Sequence, residues 1–295
     1  MERKKGDGAL IELAGRNGVR LRAEVCGGEA APPVLLLHGG GQTRHAWGGT
    51  AQALAEDGWC AVSVDLRGHG DSEWAPDGDY AFEAFADDVD AIARTFAEPP
   101  VLVGASLGGI ASLIAVGQRG TPARALVLVD VGPKIEVAGA ERVLEFMTSR
   151  PDGFASLEDA ADAVAGYMPH RERPRDLGGL AKNLRQGEDG RYRWHWDPRF
   201  IVRNRPRVAA EGFGDGMDDA ARSLRIPTLL VRGKLSDLLS EEGARHFLEL
   251  APHAKYADVT GAGHMVAGDR NDLFTRAVRD FLRDVQPEGA ANRRT

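Results

Sequence analysis

Short apolar runs, almost free of polar residues, recur along the chain with longer mixed segments between them. They occupy residues 34–37, 61–65, 100–105, 125–130 and 228–232. Strands that face water on one side alternate apolar and polar residues, whereas parallel strands buried on both faces do not. The runs therefore predict five parallel strands inside one sheet.

The segments between these runs follow other periods. Apolar residues at positions 82, 85, 89, 92 and 96 recur every three to four residues, which predicts a helix over 82–96. Near the N-terminus, residues 10–25 alternate around Asn17-Gly18, a pair typical of tight turns, and predict an antiparallel hairpin. Strands that alternate with helices predict a doubly wound, mostly parallel α/β sheet.

The composition favours one large domain with an insertion over two independent domains. A chain of 295 residues with 43% apolar content can bury a single sizeable core. Its net charge of −7 disfavours nucleic acid and anionic membranes as partners. The predicted partner is a small-molecule substrate. A monomer and a homo-oligomer are both compatible with this composition.

The location is predicted to be cytoplasmic, because the first eight residues lack the apolar stretch of a signal peptide. Residues 99–118 are uncharged and nearly long enough to span a membrane. Their glycines and serines instead favour a buried strand followed by a packed helix. The two cysteines, Cys26 and Cys60, are too few for a disulfide framework.

The most informative motif is Gly104-Ala105-Ser106-Leu107-Gly108, which follows an apolar run and precedes a run of small residues. This order predicts a strand, a sharp turn and a helix, with Ser106 at the apex of the turn. Small neighbours allow the strand and helix to approach closely, and the serine hydroxyl then projects from the sheet edge. Ser106 is therefore the candidate nucleophile.

Two further glycine-rich segments support this interpretation. Glycines follow the first parallel strand in His38-Gly39-Gly40-Gly41, where backbone N–H groups can turn toward a developing oxyanion. The Gly40 and Leu107 amides are the predicted donors. His264 ends Gly261-Ala262-Gly263-His264, after a serine and an acid in the chain order Ser, Asp, His.

Taken together, these motifs resemble those of the α/β-hydrolase superfamily of esterases, lipases and C–C hydrolases. The resemblance implies an α/β-hydrolase fold with a core of residues 1–133 and 226–295 and a helical cap inserted at 134–225. The matching segments are residues 38–40, Trp47, and residues 65–72, 104–108, 126–130, 232–237 and 263–264.

The inserted segment carries helical pieces at 137–147 and 157–168 and an aromatic stretch at 192–196. We favour a role for Tyr192, Trp194 and Trp196 in the cap's own small core over direct contact with substrate. Residues 169–207 contain eleven Lys and Arg against five Asp and Glu. A solvated, ion-paired face is the favoured explanation, and attraction of an anionic substrate is the alternative.

Two aspartates are candidates for the acid that orients His264. Asp237 follows the strand at 228–232 by a short loop, as the common arrangement in the resembled superfamily requires, and we predict it to be the acid. Asp130 ends the preceding core strand, where some relatives place theirs. Either carboxylate could hold the imidazole by a hydrogen bond and stabilise its protonated form.

Other motifs are given structural roles. The strand-end segment Asp65-Leu66-Arg67-Gly68-His69-Gly70 is interpreted as architectural. His38, His45 and His69 lack the spacing of metal ligands on one element, so no metal site is predicted. The glycines after His38 lack the Lys-Ser/Thr ending of a phosphate loop, and no cofactor is implied.

The predicted chemistry is two-step acyl transfer on a carboxylic ester, lactone or thioester, with Ser106, Asp237 and His264 as the triad. C–C bond hydrolysis of a β-diketone or ring-cleavage product is the alternative with the same residues. A serine at position 106 disfavours epoxide hydrolases and haloalkane dehalogenases, which resemble this fold but use aspartate. A receptor that retains the triad and turns over slowly is the alternative from another class.

Overall fold

The computed structural model describes residues 8–167, 173, 176–209, 215–264 and 271–286. In these ranges the strands are β1 Ala9–Ala14, β2 Arg20–Cys26, β3 Pro33–Leu37, β4 Cys60–Val64, β5 Val101–Ala105, β6 Ala125–Val129, β7 Leu184–Gln186, β8 Tyr192–Trp194, β9 Thr228–Gly233 and β10 Lys255–Val259.

The helices of the same ranges are α1 Gly48–Glu56, α2 Phe82–Ala93, α3 Leu107–Arg119, α4 Val137–Thr148, α5 Leu157–Tyr167, α6 Gly178–Ala181, α7 Arg199–Ala209, α8 Asp215–Ser223, α9 Glu241–Leu250 and α10 Asn271–Val285.

Eight strands form one sheet in the order β1-β2-β4-β3-β5-β6-β9-β10. The strands from β4 to β10 in this order pair in parallel, and β1 and β2 add an antiparallel edge next to β4. The predicted hairpin and the mostly parallel α/β sheet are therefore confirmed. Each of the five predicted parallel strands is present within about one residue of its predicted limits.

The apolar runs lack alternation because helices cover both faces of the sheet. In β3, Leu35 and Leu37 pack into a cluster with residues of α2 and α3, such as Phe85. Val34 and Leu36 face the opposite way, into a second cluster with α1 and α10. Successive side chains of a strand point to opposite faces, so a doubly covered strand must be apolar at every position.

The segment between β6 and β9 breaks this alternation, as the sequence predicts. It contains α4 to α8 and the separate antiparallel pair β7-β8. This segment has a small separate apolar cluster, formed by Phe154, Ala160 and Leu184. The last helix, α8, packs against α3, with Met217 and Ala220 in the main core. The division into a core and a cap at 134–225 stays a prediction.

Candidate active site

Ser106 lies on the turn between β5 and α3, with φ 45° and ψ −111°. This region of backbone conformation is strained for a residue with a side chain, at a cost of about 1–3 kcal/mol. Neighbouring glycines make the turn possible: a Cβ on Gly104 would overlap the carbonyl of Gly108, and one on Gly108 would overlap that of Leu37. The close contact between strand and helix thus holds Ser106 in this conformation.

The glycine loop after β3 faces this turn, since a Cβ on Gly39 would lie 3.4 Å from Ser106 Cβ. Gly40 and Leu107, the predicted oxyanion donors, line the same cavity as Ser106. Within the described residues neither amide donates a hydrogen bond, whereas Gly39 N–H donates to Gln42 Oε1 at 2.9 Å. Unpaired N–H groups beside a nucleophile are suited to an oxyanion.

His264 is held by Asp130. Its Nδ1 donates to Asp130 Oδ2 at 2.7 Å, and the Asp130 side chain is fully buried at the end of β6. The same carboxylate accepts from Gly233 N at 3.0 Å and from Ser236 Oγ at 2.5 Å. A buried charge is tolerated only when it is hydrogen-bonded in this way. The bond also sets the imidazole tautomer, with Nε2 free to accept a proton.

The prediction that Asp237 orients His264 is contradicted by this geometry. Asp237 instead forms an ion pair with Arg142 of α4 at 2.5 Å, and its side chain is 35% exposed. Its neighbour Ser236 turns toward Asp130 and accepts N–H bonds from Leu238 and Leu239. The loop after β9 therefore supplies a hydroxyl to the buried carboxylate, a role that was not predicted from the sequence.

Ser106 and His264 line one cavity of about 520 Å³. The His264 side chain is 12% exposed. No hydrogen bond joins Ser106 to His264 within the described residues, and catalytic bonds of this kind often tighten only when substrate is bound. The structure thus brings the predicted serine, histidine and oxyanion donors to one cavity and replaces the predicted acid.

The walls of this cavity are mainly apolar and come largely from the segment between β6 and β9. Trp194 and Trp196 stack with ring centroids 5.3 Å apart, and Phe146 stacks on Tyr167 at 4.3 Å. These four aromatic residues and Met147, Leu144 and Phe200 line the cavity. Burial and the nearby Asp237 raise the pKa of Tyr167 to about 12.

The predicted role of the aromatic stretch in a cap core holds only in part. Tyr192 and Trp194 pack against the small cluster around Phe154, as expected of a cap core. Trp194 and Trp196 also face the cavity, and Trp196 belongs to the main core. The two tryptophans are therefore shared between packing and the cavity wall.

Most of the cationic side chains in the described part of 169–207 have a partner. Two cations of the described part of that segment, Lys182 and Arg203, have neither a carboxylate nor a carbonyl partner among the described residues, and Lys182 lines the cavity. The paired ones are Arg173 with Asp162, Arg185 with Gly70, Arg191 with Asp152 and Gly153, Arg193 with Asp189, and Arg199 with Asp197.

The segment at 65–72 is built into the core. Asp65 accepts hydrogen bonds from the Arg44 backbone and guanidinium and from Asp71 N, and Arg67 forms a buried ion pair with Asp88. His69 is fully buried, and its Nδ1 donates to Arg67 O at 2.9 Å. These contacts support the architectural interpretation of this segment.

No group of three or more His, Cys, Asp or Glu suited to a metal ion occurs among the described residues. Within the same ranges, none of the helices combines the length and the apolar character that crossing a membrane requires.

Residues 32–270 match the family model of the alpha/beta hydrolase fold. An esterase of Mycobacterium tuberculosis is 29% identical over 264 residues, covering 86% of this chain and 84% of the relative. A 3-hydroxybutyrate-oligomer hydrolase of Cupriavidus necator is 31% identical over 253 residues, covering 81% and 84%. The crystal structure of E-2-(acetamidomethylene)succinate hydrolase superposes with a TM-score of 0.79 at 24% identity, covering 93% of this chain and 100% of that one.

Proposed function

Because this chain belongs to the alpha/beta hydrolase fold family, and is an enzyme with hydrolase activity, we propose that it cleaves a carboxylic ester of a small molecule through an acyl-enzyme. The observation that carries the proposal is the hydrogen bond from His264 Nδ1 to the buried Asp130 at 2.7 Å, in the cavity that Ser106 also lines. Ser106, His264 and Asp130 form the proposed triad.

In the first step, Ser106 Oγ attacks the ester carbonyl carbon while His264 Nε2 takes the hydroxyl proton. Asp130 keeps Nδ1 protonated, so Nε2 has the free lone pair, and its charge stabilises the imidazolium. The carbonyl π electrons move onto oxygen, where the Gly40 and Leu107 amides donate hydrogen bonds. Loss of one such donor typically costs about 10²–10³ in rate.

Collapse of the tetrahedral intermediate breaks the bond to the leaving oxygen, which takes the proton from His264 Nε2. The acyl group then remains on Ser106 Oγ. A water molecule repeats the sequence: it gives a proton to Nε2, attacks the acyl carbon and displaces Ser106, which is reprotonated. The products are a carboxylic acid and an alcohol.

Ester cleavage is favoured over C–C cleavage by what the relatives act on. Two relatives that cover four fifths or more of this chain are named as an esterase and as a hydrolase of 3-hydroxybutyrate oligomers, whose linkages are esters. The mainly apolar walls suit the organic body of a small ester. Lactones and thioesters would follow the same steps.

The first test is the Ser106→Ala variant, which we expect to keep no more than about 1% of ester turnover, because only the oxyanion donors and binding remain. Turnover of 4-nitrophenyl esters and labelling by a fluorophosphonate probe are the two measurements. Ser112→Ala is the matched control. Ser112 lies on α3, the helix that follows Ser106, its hydroxyl donates to Gly108 O at 2.7 Å, and it does not line the cavity.

Retention of more than about 1% of turnover by correctly folded Ser106→Ala protein would refute the serine mechanism. A ring-cleavage dienoate turned over faster than every ester by the wild type would instead assign C–C hydrolysis to the same triad. Ser112→Ala should retain both turnover and labelling.

A further inference from the structure

One side of the cavity is polar. Among the described residues, Lys182, Asn183 and His45 line it together, next to the loop that begins with the oxyanion glycines. Thr43 Oγ1 donates to Asn183 Oδ1 at 2.9 Å, so the Lys182-Asn183 pair is anchored to that loop. A hydrogen bond therefore links these polar lining residues to the segment that follows the oxyanion glycines.

Lys182 differs from the other charged groups on this wall. Arg173, which also lines the cavity, is neutralised by Asp162 at 2.7 Å. Asp176 caps the turn before α6, with its Oδ1 accepting from Gly178 N at 2.9 Å. Lys182 has no carboxylate partner among the described residues. Lys182 is an exposed residue that also lines the cavity, so its ammonium is hydrated and can still reach an anionic group of a ligand bound there.

Neighbouring side chains can complete such a site with uncharged donors. His45 is half-buried, and burial together with the charges of Arg44 and Lys182 lowers its pKa, so its ring is neutral near pH 7 and can donate one N–H. Asn183 accepts from Thr43 with its oxygen, which leaves its NH₂ group to donate. One cation with two neutral donors suits a singly charged carboxylate.

We propose that Lys182, with Asn183 and His45, binds a carboxylate group carried by the substrate, so that the preferred ester is anionic. This inference rests on the proposed ester hydrolysis and adds the substrate class. The carboxylate would lie on the polar wall while the reacting carbonyl lies between Ser106 and the oxyanion amides.

The test compares anionic and neutral esters of matched size. For a carboxylate on the acyl side, the pair is 4-nitrophenyl hydrogen glutarate and 4-nitrophenyl pentanoate. For a carboxylate on the leaving group, it is 4-acetoxybenzoate and 4-acetoxybenzamide. The measured quantity is the ratio of kcat/KM for the anionic ester to that for its neutral partner.

In at least one pair, we expect Lys182→Ala to lower this ratio by about tenfold or more, because a charge-assisted hydrogen bond is lost. Lys182→Arg should keep most of the ratio, and Lys182→Glu should lower it further. The control is Lys255→Ala, which removes the same charge from an exposed lysine paired with Asp284 on the edge strand β10. It should leave both ratios unchanged.

The proposal would be overturned if, for both pairs, the ratio were the same in the wild type and in Lys182→Ala. It would also be overturned if Lys182→Ala and Lys255→Ala lowered the ratio equally, because the effect would then come from the net charge of the protein. Calorimetric binding of the anionic esters to Ser106→Ala protein, with and without Lys182→Ala, tests the site without turnover. Loss of affinity only in the double variant supports the site, and unchanged affinity refutes it. Absence of ester turnover by the wild type would contradict the proposed ester hydrolysis but would not by itself contradict the carboxylate site.

Discussion

Asp130 is a fully buried carboxylate that receives three hydrogen bonds, from His264, Gly233 and Ser236. Its backbone has a φ of 52°, a region that aspartate tolerates better than most residues. The donors come from the last residue of β9, from the loop after it and from the loop after β10, so the carboxylate joins three strand ends. Desolvation makes the charge costly if any partner is missing, and this favours one fixed position for His264.

The two candidate acids can be separated by conservative substitution. We expect Asp130→Asn to lower kcat by about 10⁴, because an amide can stabilise the wrong imidazole tautomer and cannot stabilise the imidazolium. Asp237→Asn should change kcat by no more than a few fold, since it weakens only a partly exposed ion pair with Arg142. Steady-state kinetics on an ester, with Tm as a check on folding, measures both. The opposite ranking would return the acid role to Asp237.

The helix α3 shows how closely two elements can approach when glycine lies between them. Gly117 faces α8, and a Cβ there would overlap the backbone carbonyl of Ala220. Around Gly166, near the end of α5, no described atom outside its own helix backbone and chain neighbours lies within 4 Å of its would-be Cβ. Glycine is therefore required for close packing in α3, whereas in α5 it only lowers the helix propensity.

This contrast gives a prediction about stability. Gly117→Ala should destabilise the protein by about 1–3 kcal/mol, because the added methyl group forces α3 and α8 apart. Gly166→Ala should stabilise it by about 0.5–1 kcal/mol through helix propensity. Urea unfolding followed by circular dichroism measures both. A stabilising Gly117→Ala would show that α8 does not pack on α3 as described.

At the scale of the whole molecule, residues 68–80 contact the segment between β6 and β9. Gly70 N donates to His195 O at 2.8 Å, and Tyr80 Oη donates to Asp197 at 2.6 Å. His69 lies buried in this junction, with its ring 5.1 Å from that of Phe200. Dry aromatic surroundings make a charged imidazole unfavourable at this position.

The buried histidines predict acid sensitivity. Burial lowers the pKa of His38 to about 4, and burial with the nearby His38 lowers that of His69 to about 3. In the unfolded chain both would titrate near 6.5, so below that pH the unfolded state binds more protons than the folded state. The free energy of unfolding should therefore fall by on the order of 3 kcal/mol or more as the pH drops from about 6.5 to about 4.

Urea unfolding at a series of pH values measures this slope. His69→Phe should reduce it, because an apolar ring in the same aromatic surroundings takes up no proton. His253→Gln is the control, since His253 is exposed and hydrogen-bonded only to the Ile226 carbonyl. An unchanged slope in His69→Phe would show that this histidine does not contribute.

The sequence by itself determined the elements and most of the candidate site. Continuous apolar runs predicted doubly covered strands, and the glycines around Ser106 predicted a close strand–helix turn, because both features follow from local stereochemistry and burial. Parallel strands end at the same edge of a sheet, so residues that follow their ends lie near one another. This explains why one cavity is lined by Ser106, His264, Gly40 and Leu107.

Only the tertiary structure decided between Asp130 and Asp237. Both follow neighbouring strands, β6 and β9, at the same edge of the sheet, so the pattern of residues places both near His264. Selection depends on displacements of a few ångströms: Asp130 points into the buried space between the loops, whereas Asp237 is drawn outward to Arg142. The shared role of Trp194 and Trp196 in packing and in the cavity wall was likewise decided by contacts between distant segments, because contacts of this kind have no local sequence pattern.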